Sequence, residues 1–280
     1  MYRKNSLFMC CLKSCSLIAF TLLYFAVGQV FAQPKDYYKP NPLIISSHRQ
    51  PKELLLSVGY DKGLDLGASL SLPFNFIVFA KGNLNTFSYS RNESLEPRYT
   101  IYKNDYSWLS GIGYFVNRSY RFFNVIEMYS GVGNTSIDNF RHYSTSTSDD
   151  NDRFTKANYH TAFAQVNAIA AKNNVEVGLG ARVSYNLYKD FEYYIGTPAI
   201  TNKNTSDFSF VKFEPALSLS YLLLNFKGNI QLGVSVPLIS DDTEIVELPG
   251  ESFSVESYED FYFFWRLSLQ YIKQYDKRRR

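Results

Sequence analysis

Five charged residues stand out as the ones able to do chemistry inside a closed sheet: Glu127, Glu176, Arg182, Glu214 and Arg266. Counted from the short turns, Glu127, Arg182, Glu214 and Arg266 fall at similar depths and could form an interior layer of two acids and two bases. Their chemistry would be ion pairing, because an unpaired charge in a dry interior costs several kcal/mol. Such a polar network is expected to be structural or gating. Residues suited to turnover are sparse. The chain has three histidines, His48, His142 and His160. His160 opens a strand near an outer rim, where a barrel hydrolase would place its site. A rim protease needs paired carboxylates and an Asp–His contact, and a serine hydrolase needs His, Ser and an acid together. Asp149, Asp150 and Asp152 lie in the polar run STSTSDDNDR, which reads as a solvated loop. The pairs Gly131-Val132-Gly133 and Gly178-Leu179-Gly180 lack the helix that a phosphate loop requires, and read as room for neighbouring side chains. We expect no enzyme, no cofactor and no metal site.

The elements that must position these charges are strands. Val175 to Leu187, VEVGLGARVSYNL, alternates apolar residues with Glu176, Gly178, Gly180, Arg182, Ser184 and Asn186. Alternation at period two gives one greasy face and one polar face. A tilted strand needs roughly 9–11 residues to cross the hydrocarbon core of a bilayer, and this segment is longer. A soluble sandwich could show the same pattern with its greasy face inward, so compartment and loop lengths must decide.

The chain opens with Arg3, Lys4 and Lys13, followed by an uncharged apolar run from Ser16 to Gly28 and small residues before Gln33. These are the parts of a secretory signal peptide, expected to span 1–32. All three cysteines, Cys10, Cys11 and Cys15, lie within it, which excludes disulfides and thiol chemistry from the mature chain. Removing three basic residues from 29 leaves 26, equal to the 26 acidic ones. A balanced charge gives no reason to expect nucleic acid as a partner.

Residues 33–52, rich in proline and polar groups, read as a loose periplasmic leader. Ten strands follow within 53–272, and a basic tail closes the chain at 273–280. Eight strands would also be compatible with the pattern. From the second connection onward, short and long connections alternate strictly, as in outer-membrane barrels with short periplasmic turns and longer outer loops. The fold expected is all-β: an antiparallel up-and-down transmembrane β-barrel in the cell outer membrane. Trp108, Ile112, Tyr114, Val177, Leu179, Leu217, Leu219, Trp265, Leu267 and Leu269 should face lipid. Glu127, Gly131, Gly133, Glu176, Arg182, Glu214, Ser218, Arg266, Ser268 and Gln270 should face the lumen.

Several stretches in order carry a resemblance: Tyr37-Tyr38-Lys39-Pro40-Asn41-Pro42, Gly111-Ile112-Gly113-Tyr114-Phe115, Phe163-Ala164-Gln165-Val166-Asn167, Ala181-Arg182-Val183-Ser184-Tyr185 and Phe213-Glu214-Pro215-Ala216-Leu217. The chain resembles a group of largely uncharacterised outer-membrane β-barrel proteins of Gram-negative bacteria. The resemblance implies a location and a fold, with no catalytic residue to carry over. Expected partners are outer-membrane lipid, the outer-membrane insertion machinery and an unidentified ligand of the outer loops. The expected function is structural, binding or adhesive through those loops around a largely filled lumen. The alternatives are a narrow pore, then a rim hydrolase or a soluble periplasmic sandwich.

Overall fold

The computed structural model of the 280-residue chain describes residues 38–91, 99–117, 122–143, 153–195, 208–240 and 262–274. The expected signal peptide, most of the long connections and the last six residues of the tail lie outside the described residues. Ten strands run in chain order: β1 (Glu53–Tyr60), β2 (Leu64–Ser71), β3 (Phe76–Arg91), β4 (Tyr99–Asn117), β5 (Val125–Tyr143), β6 (Arg153–Lys172), β7 (Val175–Ile195), β8 (Phe208–Leu223), β9 (Phe226–Ser240) and β10 (Tyr262–Gln274). Each pairs antiparallel with its neighbours in sequence, and β1 pairs with β10, so the sheet closes on itself. Closure removes the continuous edge that an open sheet would leave with unpaired backbone groups.

Alternation dictates the two faces. Along β7, Glu176, Gly178, Gly180, Arg182, Ser184 and Asn186 are buried, while Val175, Val183 and Tyr185 are exposed on the outside. The short turns are set locally. Lys62 and Asn173 adopt positive φ at two of them. At the β1–β2 turn Gly63 is required by close approach, because a Cβ there would meet the Leu84 carbonyl oxygen at 2.4 Å. Strands facing the long connections extend further than the sequence pattern predicts: β5, expected over about 122–136, spans Val125–Tyr143, and β7 runs past Leu187 to Ile195. Hydrogen bonding to a neighbour continues the ladder after the greasy alternation has ended, so hydrophobic pattern alone stops too early. By contrast β1 and β2 have only 8 residues each, so the wall is low on that side.

The largest departure concerns the expected loose periplasmic leader. Tyr38 to His48 is buried inside the barrel. Tyr38 packs with Tyr159, Tyr188 and Phe210 in the half nearer the long connections. At the other end, Asn117 beside the short turns donates to the Arg49 carbonyl at 2.7 Å. The segment therefore runs along the barrel axis outside any helix or strand, with a kink at Ser47, whose φ is 62°. Its side chains complete the core: Ile44 joins Ile77, Phe79, Leu109, Phe115, Tyr129 and Phe163, while Leu43 and Ile45 join Val125, Ile169, Ala216 and Phe264. The inward Gly180 of β7 makes room for the segment. A Cβ on Gly180 would lie 2.7 Å from Leu43 Cδ2 and 2.8 Å from Asn167 Oδ1.

Gly180→Val should therefore overpack the lumen and cost about 1–3 kcal/mol. Gly228→Ala, with nothing within 4 Å of the added carbon, should stay within about 0.5 kcal/mol. Urea unfolding of the two variants side by side checks the pair.

Candidate functional site: the filled lumen

The lumen wall meets the axial segment largely through its backbone. A backbone carbonyl or N–H buried without a partner is costly, and a segment outside any helix or strand cannot satisfy its own groups. Strand side chains do so instead. Arg182 donates to the Asn41 carbonyl, and Lys81 Nζ to that of Pro42 at 3.1 Å. Gln165 clamps Ile44 from both sides, accepting from its N–H at 3.2 Å and donating to its carbonyl at 2.6 Å. Asn167 Nδ2 donates to the same carbonyl at 2.7 Å. Lys227 Nζ donates to the Ser46 carbonyl at 2.7 Å, and Glu127 Oε1 accepts from the His48 N–H at 2.9 Å.

All five charges expected in the lumen are buried there, but Glu127, Arg182, Glu214 and Arg266 do not form the one layer expected of them. Arg182 and Glu214 face each other across the β7–β8 ladder and pair at 2.6 Å, with 3% and 1% of their side chains exposed. Tyr38 Oη donates to the other oxygen of Glu214 at 3.1 Å. Glu127 bonds to Asn167 and the His48 backbone. Arg266 pairs with Asp65 and donates to Ser57 Oγ at 3.2 Å. Glu176 sits near the short turns with Arg49 and Lys227, the latter at 3.5 Å. The expected layer fails because β5 begins at Val125. Glu127 is then only two residues into its strand, whereas Arg182 lies seven residues past Val175, the first residue of β7.

Sequence reasoning missed Asp65, Lys81, Lys212 and Lys227, although each occupies an inward position of an alternating strand. Lys81 Nζ pairs with Asp65 Oδ2 at 3.0 Å. Lys212 Nζ lies 5.2–5.3 Å from the ring centres of Tyr38, Phe210 and Tyr262, so three aromatic faces surround one cation. At the β1–β2 turn, burial pushes Asp61 up to about 6, against the pull of Lys81, Lys62 and Lys39.

The histidines are dispersed. His160 faces outward on β6, where Nδ1 lies 3.2 Å from Asn134 Nδ2 on the neighbouring strand. His142 stacks on Phe140 at the end of β5. His48 is fully buried in the axial segment, with Nε2 2.9 Å from Ser69 Oγ and Nδ1 3.3 Å from Glu53 Oε2. Asp149, Asp150 and Asp152 lie outside the described residues.

No protein-family model matches the chain, and no curated protein does. Among solved structures, the translocator domain of autotransporter NalP from Neisseria meningitidis is similar at a TM-score of 0.44 and 12% identity, over 78% of this chain and 86% of that one. Acinetobacter baumannii CarO is similar at 0.32 and 11% identity, over 84% and 100%. The copper transporter OprC is similar at 0.27 and 8% identity, over 84% and 43%. The barrel fold stands on this chain's own strand pairing.

Truncating one member of the Arg182–Glu214 pair leaves a buried charge behind. Glu214→Ala should cost about 3–5 kcal/mol, and the double replacement Arg182→Met with Glu214→Leu should cost distinctly less than the single one. Denaturant titration of the set reads the difference.

Proposed function

We propose that this chain is an outer-membrane barrel whose lumen is closed by its own N-terminal segment, acting in structure, binding or adhesion through its outer loops. The observation that carries the membrane part is the exterior. Ile112 is 61% exposed and Leu219 53% exposed, within a band that includes Leu66, Val78, Val132, Val166, Val183, Ile230 and Leu269. Leaving such a band in water would forfeit roughly 25 cal/mol for every Å². Aromatic pairs flank it. Phe76–Tyr114 and Phe226–Tyr271 lie toward the short turns, with ring centres 5.6 and 5.4 Å apart. Tyr60–Trp265 and Tyr102–Phe140 lie toward the long connections, at 5.8 and 6.0 Å. Rings at both rims of an apolar band suit the two interfaces of a bilayer. In a soluble sandwich the same residues would turn inward.

The filled lumen supports a closed resting state. Cavities of about 30 and 10 Å³ lie beside the axial segment, room for waters rather than for a solute. In this reading the protein catalyses nothing, and its partners are bilayer lipid, the insertion machinery and whatever the outer loops bind.

Purified protein in planar bilayers should show no steady current, with Arg182→Ala and Glu127→Ala leakier. Steady wild-type channels of uniform size would favour the pore instead. Leu179→Arg should lower folding stability in lipid vesicles by about 2–4 kcal/mol if that face meets mid-bilayer lipid. Wild-type stability there would count against the outward face as a lipid face.

A further inference from the structure

We infer that the lumen is a binding site for a polypeptide chain, read mainly through its backbone, with residues 38–50 as the ligand held in cis. The wall contacts described above fall on main-chain atoms at 41, 42, 44, 46 and 48. Tyr159 Oη adds another by donating to the Lys39 carbonyl at 3.1 Å. At the lower end Glu53 accepts from the Arg49 N–H at 3.0 Å, and Ser71 Oγ donates to the Gln50 carbonyl at 2.7 Å. Three of the donors are cations set on separate strands, Lys81, Arg182 and Lys227, each aimed at a different carbonyl. The wall thus provides a ladder of donors and acceptors, placed at main-chain spacing, for a chain that forms no sheet with it.

The side chains of the segment add contacts toward its ends: Tyr38 with Glu214, Lys39 with Asn83, Asn41 with Ser107, His48 with Ser69 and Arg49 with Glu176. Leu43, Ile44 and Ile45 enter apolar pockets. The ligand class is thus a peptide with an aliphatic centre held through its backbone and polar side chains toward its two ends. A second such peptide can occupy the lumen when the cis segment leaves it. This inference does not depend on residence in a bilayer.

The test uses a fluorescent synthetic peptide of residues 38–50 and the full-length protein, read by anisotropy in detergent or buffer. Full-length Ile44→Pro removes the N–H that Gln165 accepts and leaves the wall intact. The peptide should bind this variant at least ten-fold more tightly than wild type. A peptide N-methylated at Ile44 should bind at least ten-fold more weakly than the unmodified one, and an Ile44→Val peptide within about three-fold. Equal binding of the N-methylated peptide, or no gain on Ile44→Pro, would overturn the inference. If Ile44→Pro fails to fold, full-length Ile45→Ser, which weakens the cis segment in its apolar pocket and leaves every strand unchanged, takes its place, and absence of a gain in peptide binding there overturns it equally. Loss of the membrane reading would appear elsewhere, as protein that needs no detergent and carries no lipid, with the peptide result still readable.

Discussion

The demand that every buried backbone group find a partner shapes this molecule twice. In the wall it is met by antiparallel pairing carried round to closure, β10 against β1. In the lumen it is met by side chains, because residues 38–50 cross the interior without joining the sheet. Gln165, Asn167, Lys81, Arg182, Lys227 and Glu127 supply the missing donors and acceptors. Remove the segment and these groups lose their partners together. The wall and its occupant are therefore one design, and the inward charges make sense only with both in place.

Charge pairing follows from that arrangement. Glu214 is shared between Arg182 and Tyr38, so a wall ion pair also grips the start of the segment. Glu176 is shared between Lys227 and Arg49 near its end. Between them, Asp65 balances Lys81 and Arg266. Three acids thus anchor four bases of the wall at different depths. Each cluster keeps a cation from standing unpaired in a dry interior, where isolation would cost several kcal/mol. The exterior makes no comparable demand, since its apolar side chains ask only for an apolar surrounding.

How much of this was legible follows from which signals are local. Strand alternation is local, so the faces of β4, β7, β8 and β10 could be read directly. The inward burial of Glu127, Glu176, Arg182, Glu214 and Arg266 follows from the same parity. Their partners were not legible, because partnership depends on register, and Glu127 moved once β5 proved to start at Val125. The axial segment was hidden for a different reason. Its prolines and polar residues look like a solvated loop, and contacts made by its backbone leave no periodic trace in its own sequence. A hint existed in the wall, where Gly180 clears a space that Leu43 of the segment fills.

The account stands or falls on whether residues 38–48 occupy the lumen of the folded protein. The mature chain has no cysteine of its own if the expected signal peptide is removed, so Ile45→Cys places a single thiol at its most enclosed stretch. Labelling of that thiol by a bulky water-soluble maleimide should be negligible in the folded barrel and rapid once the protein is boiled in detergent. Rapid labelling of the folded protein would contradict the account, leaving an open barrel with a free leader.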